Sequence, residues 1–205
     1  MYLTRLTLDP RSAQARRDLG DAYEMHRTLV RAFVDSPQSE PPRFLWRLEA
    51  SKDSGANPTV LVQSEVAADW SVLETMPNYL QRHAESKCVA LDQLIRAERC
   101  YRFRLLANPT VTREGKRYGL LKESEQNAWI ERQGERHGFG VQACLVSAQN
   151  LFCSRDKGKP AVCIHRVCFE GLLKVQNEDA LKRALVAGIG PAKAFGCGLL
   201  SVAPC

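Results

Sequence analysis

No apolar run in this 205-residue sequence approaches the ~18–20 residues that a membrane-spanning helix requires. The opening stretch, Met1 to Leu8, alternates apolar and polar residues and lacks a basic start followed by a continuous apolar segment. It reads as a first strand and not as a signal peptide, and the expectation is a cytoplasmic protein with no membrane partner. A C-x-x-C pair is absent, so the usual zinc-finger or zinc-ribbon spacing is missing. There is no G-x-x-x-x-G-K-S/T phosphate loop, and no aromatic RNA-binding motif of the RNP type. Apolar residues make up 44% and charged residues 25%, which excludes a disordered tail, a collagen-like fibre and a coiled coil.

What is present is cysteine and an uneven charge. The 8 cysteines carry neither secretory context nor zinc spacing, and are expected to be small buried apolar residues. The densest metal-type cluster is Cys163, His165 and Cys168; on a strand, Cys168 points away from the other two, so no metal site is expected. The net charge is +6, but residues 1–95 hold 11 Lys/Arg against 13 Asp/Glu, and residues 96–205 hold 18 against 10. A basic second half suggests a nucleic-acid surface, although charge alone more often marks a solvated face with no partner.

The elements repeat. Tyr2–Asp9 reads as a strand, and a helix follows from the N-cap Asp21, with Glu24 as capping-box partner, to about Val34. Strands are expected at Phe44–Glu49 and Thr59–Ser64, a short helix from Trp70 towards Met76, and a strand at Cys88–Leu94. The second half offers a strand at Cys100–Ala107, a basic loop at 113–117 and a helix over Ser124–Arg136. A hairpin over Val141–Phe152 and Ala161–Val175, a helix over Glu178–Ala187 and a strand at Leu199–Val202 complete it. Each half is β-α-β-β-α-β. The expected fold is α+β: two tandem ferredoxin-like (split βαβ) domains, residues 1–95 and 96–205.

Three features can carry chemistry. On the first helix, Ala22, Met25, Leu29, Ala32 and Phe33 form the core stripe, and Tyr23 and His26 are neighbours at its boundary with solvent. Arg27 and Arg31 continue onto the polar side. A phenol, an imidazole and guanidinium groups on one edge suit proton transfer beside a phosphate, although Tyr and His also sit at helix boundaries for packing alone. The second feature is the glycine-rich stretch from Gly188 to Gly198, including Gly190 and Lys193; it suits either a phosphate-contacting loop or a tight connection needing positive φ. The third is basic: Arg113, Lys116 and Arg117 in one loop, Arg155, Lys157 and Lys159 at a hairpin tip, and Arg102 and Arg104 on one strand face. Such groups grip an RNA backbone and do not read its bases.

Four segments carry a resemblance. Ala22 to Leu29, Phe103 to Pro109, Cys168 to Gly171, and above all Gly188–Lys193 running on through Gly196 to Pro204 resemble the CRISPR-associated CasE family. These are the repeat-processing endoribonucleases of type I-E systems. The likeness spans essentially the whole chain; Leu106 stands where the family often has arginine. It implies two ferredoxin-like domains that bind a CRISPR repeat stem-loop and cut at the 3′ base of the stem, without metal or cofactor. The ribose 2′-OH attacks the adjacent phosphate, leaving a 2′,3′-cyclic or 3′ phosphate. The family's tyrosine and histidine fall on Tyr23 and His26, with His26 as general acid or base and Tyr23 positioning the 2′-OH. The enzyme then keeps the guide RNA and stays with other Cascade subunits.

Two other classes fit part of the pattern. A hairpin-binding subunit without turnover shares the basic surface and differs only at Tyr23 and His26. A small-molecule enzyme on the same fold, such as an acyl phosphatase, needs an Arg/Asn anion cradle and no RNA affinity.

Overall fold

The computed structural model describes residues 1–36, 38–49, 55–153 and 163–205. The chain forms two compact units, Met1–Val89 with Ala194–Gly196, and Ala90–Lys193 with Cys197–Cys205.

The first unit runs β1 (Tyr2–Thr7), α1 (Ala13–Gly20), α2 (Ala22–Val30), β2 (Phe44–Glu49), β3 (Thr59–Ser64), α3 (Ser71–Glu74) and β4 (Glu85–Cys88). Its antiparallel sheet has the order β2-β3-β1-β4. Leu6, Met25, Leu29, Phe44, Trp46, Val60, Val62, Leu73 and Tyr79 are buried in this unit.

The second unit runs α4 (Leu91–Leu94), β5 (Cys100–Ala107), β6 (Thr110–Arg113), β7 (Lys116–Gly119), α5 (Glu123–His137), β8 (Phe139–Cys153), β9 (Cys163–Val175), α6 (Glu178–Ala187), a 3-10 turn at Lys193–Phe195 that crosses into the first unit's residues, and β10 (Leu200–Pro204). Its four-stranded sheet has the order β10-β5-β9-β8, again antiparallel throughout. Numbered within each unit, both sheets read 4-1-3-2, the split-βαβ order expected. β5 buries Tyr101, Phe103, Leu105 and Ala107 against α5 and α6 residues such as Trp129, Ile130, Leu181 and Leu185. Each fully buried side chain of this size contributes roughly 1.5–3 kcal/mol.

Several local expectations need correction. Helix α1 was unforeseen because it buries only Ala15 and Asp18, too little apolar surface to give a helical period. Strand β4 lies at Glu85–Cys88 and not at Cys88–Leu94: all four of its residues are exposed, so no alternation marks it, and Leu91–Leu94 forms a turn of helix. The helix expected to reach Met76 spans only Ser71–Glu74. The basic loop is the tip of the β6–β7 hairpin, where Glu114 and Gly115 take positive φ, as a two-residue turn requires. Among the described residues, no helix is long and apolar enough to cross a membrane.

The cysteines also depart from expectation. Cys153 and Cys163, ladder partners at the ends of β8 and β9, form a disulfide. Cys88, Cys100 and Cys205 are exposed. Cys197 does join the core, where burial pushes its thiol up to about 12.

Candidate active site and basic surfaces

The chemistry-bearing edge sits on α2. Its N-cap Asp21 accepts a hydrogen bond from the Tyr23 amide (2.8 Å), which starts the helix one residue before the phenol. Tyr23 is 43% exposed, and its ring lies 6.5 Å from that of Phe195. His26, one turn on, is half-buried and stacks on Phe44 with centroids 5.0 Å apart. Phe44 in turn stacks on Phe33 at 4.6 Å. His26 Nδ1 is buried with no hydrogen-bond partner among the described residues. Burial lowers the pKa of the imidazole from its ordinary value, so at pH 7 it is neutral.

The flanking cations are partly committed. Arg27 pairs with Glu24 (3.2 Å), which also holds Arg17 (2.8 Å). Arg31 is exposed at the C-cap of α2, where a cation complements the helix dipole.

The glycine-rich stretch is a tight connection of the kind expected. Gly190 has φ +79°, and a Cβ there would sit 3.1 Å from the Trp129 ring. Gly196 has φ +77° and would meet Trp46 at 3.1 Å. Lys193 Nζ donates to the Gly190 carbonyl (2.8 Å), drawing the lysine back along its own loop.

The basic residues of the second unit fall into separate groups. Arg102 is exposed on the outer face of β5. Arg104, on the same face, pairs with its ladder neighbour Glu170 at 2.7 Å. Arg113, Lys116 and Arg117 are all exposed on the β6–β7 hairpin. Register puts Arg113 and Lys116 on one face with the half-exposed Tyr118, and Arg117 on the other. Arg155, Lys157 and Lys159 lie outside the described residues.

The CRISPR associated protein family matches residues 1–204. The chain belongs to this family. It is 37% identical to the CRISPR-associated endoribonuclease Cse3 of Thermus thermophilus and 32% identical to the CRISPR system Cascade subunit CasE of Escherichia coli K12, each over the whole of both chains. A solved CRISPR endoribonuclease Cse3 bound to a 19-nucleotide RNA superposes with a TM-score of 0.89, at 37% identity over the whole of both chains.

In this CRISPR-associated chain, reading the sequence alone missed Phe44, Trp46 and Phe195 as site residues. Phe195 could have been noticed as the single aromatic inside the glycine-rich stretch. Phe44 and Trp46 lie in a strand buried on both faces, and an apolar run of that kind marks burial and says nothing of what lies on top. Among the described residues no group of three or more His, Cys, Asp or Glu is placed to hold a metal, and Cys163 is consumed in the disulfide.

Proposed function

We propose that the chain is a metal-independent endoribonuclease that binds CRISPR repeat stem-loops in precursor RNA and cuts at the 3′ base of the stem. It then retains the guide RNA as a subunit of a type I-E Cascade complex. The observation that carries this reading is the α2 edge: an exposed phenol beside a half-buried imidazole whose Nδ1 is buried without a partner among the described residues. The names of the relatives, an endoribonuclease and a Cascade subunit, support it.

In the proposed reaction the 2′-oxygen attacks phosphorus, the bond to the 5′-oxygen breaks, and a 2′,3′-cyclic phosphate forms. The 2′-OH loses a proton and the departing 5′-oxygen gains one. A neutral imidazole takes a proton on its lone pair as base, and the imidazolium so formed gives it up as acid, so one group can relay the proton from the 2′-OH to the departing 5′-oxygen near neutrality. His26 takes that role, and Tyr23 orients the 2′-OH. Residues 1–95 supply these groups. Residues 96–205 supply backbone contacts through Arg102, Arg104, the Arg113–Arg117 hairpin, Gly190 and Lys193, and the Arg155, Lys157 and Lys159 tip. Arg27 and Arg31 add charge beside the scissile phosphate.

The test is cleavage of a repeat hairpin in the presence of a chelator by wild type, His26→Ala and Tyr23→Phe. Loss of cleavage with retained binding supports the reading. Unchanged cleavage by His26→Ala overturns the role of His26, and a wild type that binds without cutting leaves a hairpin-binding subunit.

A further inference from the structure

Behind the edge that carries Tyr23 and His26, α2 is gripped by a buried polar cluster. Asp18 of α1 is 1% exposed. Its carboxylate accepts from the hydroxyl of Tyr79 (2.8 Å), itself fully buried, and from Gln14 Nε2 (2.9 Å). Each of these partners also reaches α2: the Tyr79 oxygen lies 3.8 Å from Met25 Sδ, and Gln14 Nε2 donates to Thr28 Oγ1 (3.4 Å). Arg17, next to Asp18, adds the ion pair to Glu24 at 2.8 Å. Burial and the Asp18 carboxylate hold the Tyr79 phenol well above the ordinary tyrosine pKa, so it remains the donor.

At 100° per residue, Glu24, Met25 and Thr28 centre about 180° around α2 from Tyr23 and His26. The two sets occupy opposite faces of one helix. Apolar packing alone holds a helix down by area and is tolerant of rotation about its axis. Directional contacts are not: a rotation of α2 pulls Thr28 Oγ1 away from Gln14 Nε2 and Met25 Sδ away from the Tyr79 hydroxyl, and Asp18 holds both Gln14 and Tyr79 in place. A small rotation of α2 moves Tyr23 and His26 together.

We propose that Asp18 and Tyr79 are positioning residues for the proposed cleavage: their hydrogen bond sets the rotation of α2 and thereby the placement of Tyr23 and His26. This rests on reading α2 as the chemistry-bearing helix. The experiment compares Tyr79→Phe, Asp18→Asn and the double variant by single-turnover cleavage of saturating repeat hairpin, by hairpin affinity, and by the His26 Cε1–H resonance of the RNA-free protein. The folded single variants should cut about tenfold more slowly with affinity within about twofold of wild type, since misplacement taxes the chemical step. The double variant should be no slower than the slower single variant, because the pair acts as a unit. The His26 resonance should move in each.

An unmoved His26 resonance in folded Tyr79→Phe overturns the proposal. So does an equal loss of rate in Leu73→Ala, a core variant of the same unit compared at equal loss of stability. If Tyr79→Phe does not fold, Thr28→Val, which deletes only the hydroxyl that Gln14 reaches, carries the same expectations. If the wild type cuts no hairpin, the proposed function fails, and the His26 resonance still decides this proposal.

Discussion

The ring of Tyr23 stands 6.5 Å from the ring of Phe195, tilted by 31°. Tyr23 is on α2 near the start of the chain, and Phe195 closes the 3-10 turn of the glycine-rich stretch, yet both belong to the first unit. An exposed phenol thus has an aromatic wall beside it. Phe195→Ala should leave hairpin affinity near wild type and slow single-turnover cleavage about tenfold, because Tyr23 loses its support. Phe195→Tyr should restore most of the rate. A rate unchanged in Phe195→Ala would show that the wall has no part in placing Tyr23.

His26 should make the fold sensitive to acid. Its pKa is lowered in the folded protein by burial, whereas the unfolded chain takes the proton near about 6.5. Below that value the unfolded state binds more protons, so the contribution of neutral His26 is present above it and is lost as pH falls through the lowered value. His26→Gln, which cannot titrate, should lose less stability between neutral and mildly acidic pH. Thermal unfolding of both proteins across that range measures the difference; parallel curves would contradict it.

Gly196 should resist any side chain. Its φ of +77° and the Trp46 ring 3.1 Å from a would-be Cβ both oppose alanine. Gly196→Ala should cost about 1–2 kcal/mol from the left-handed backbone alone, read as a lowered urea midpoint with unchanged slope.

Lys193 should act on binding before chemistry. Lys193→Ala removes one cation from the glycine-rich loop and releases the Gly190 carbonyl it holds at 2.8 Å. Hairpin affinity should weaken, the slope of log affinity against log salt should fall by about one, and cleavage of saturating hairpin should change little. Normal affinity with slow cleavage would reverse that assignment.

The two-unit α+β fold was legible because its core strands are apolar runs or alternate, and its long helices keep an apolar face. β2, β3 and β5 fall at the expected residues, as does α6: β5 and α6 each bury one regular face, whereas β2 and β3 are short runs buried on both faces. What escaped were elements with little to bury: α1, which turns polar residues inward as well as out, and β4, which is exposed along its whole length. Periodicity detects contrast between faces, and these elements have little.

For the site, sequence by itself determined which groups can move a proton and that they share a helix edge. Residue types and a spacing of three decide that before any folding is considered. Only the tertiary structure decided the rest. Phe44 stacks on His26, His26 Nδ1 is buried, Phe195 comes to Tyr23 from 172 positions further along the chain, and Asp18 holds the Tyr79 hydroxyl that lies beside Met25 of the helix. Contacts of that separation depend on how sheets and helices pack, and packing sets the burial that lowers the pKa of His26 from its ordinary value.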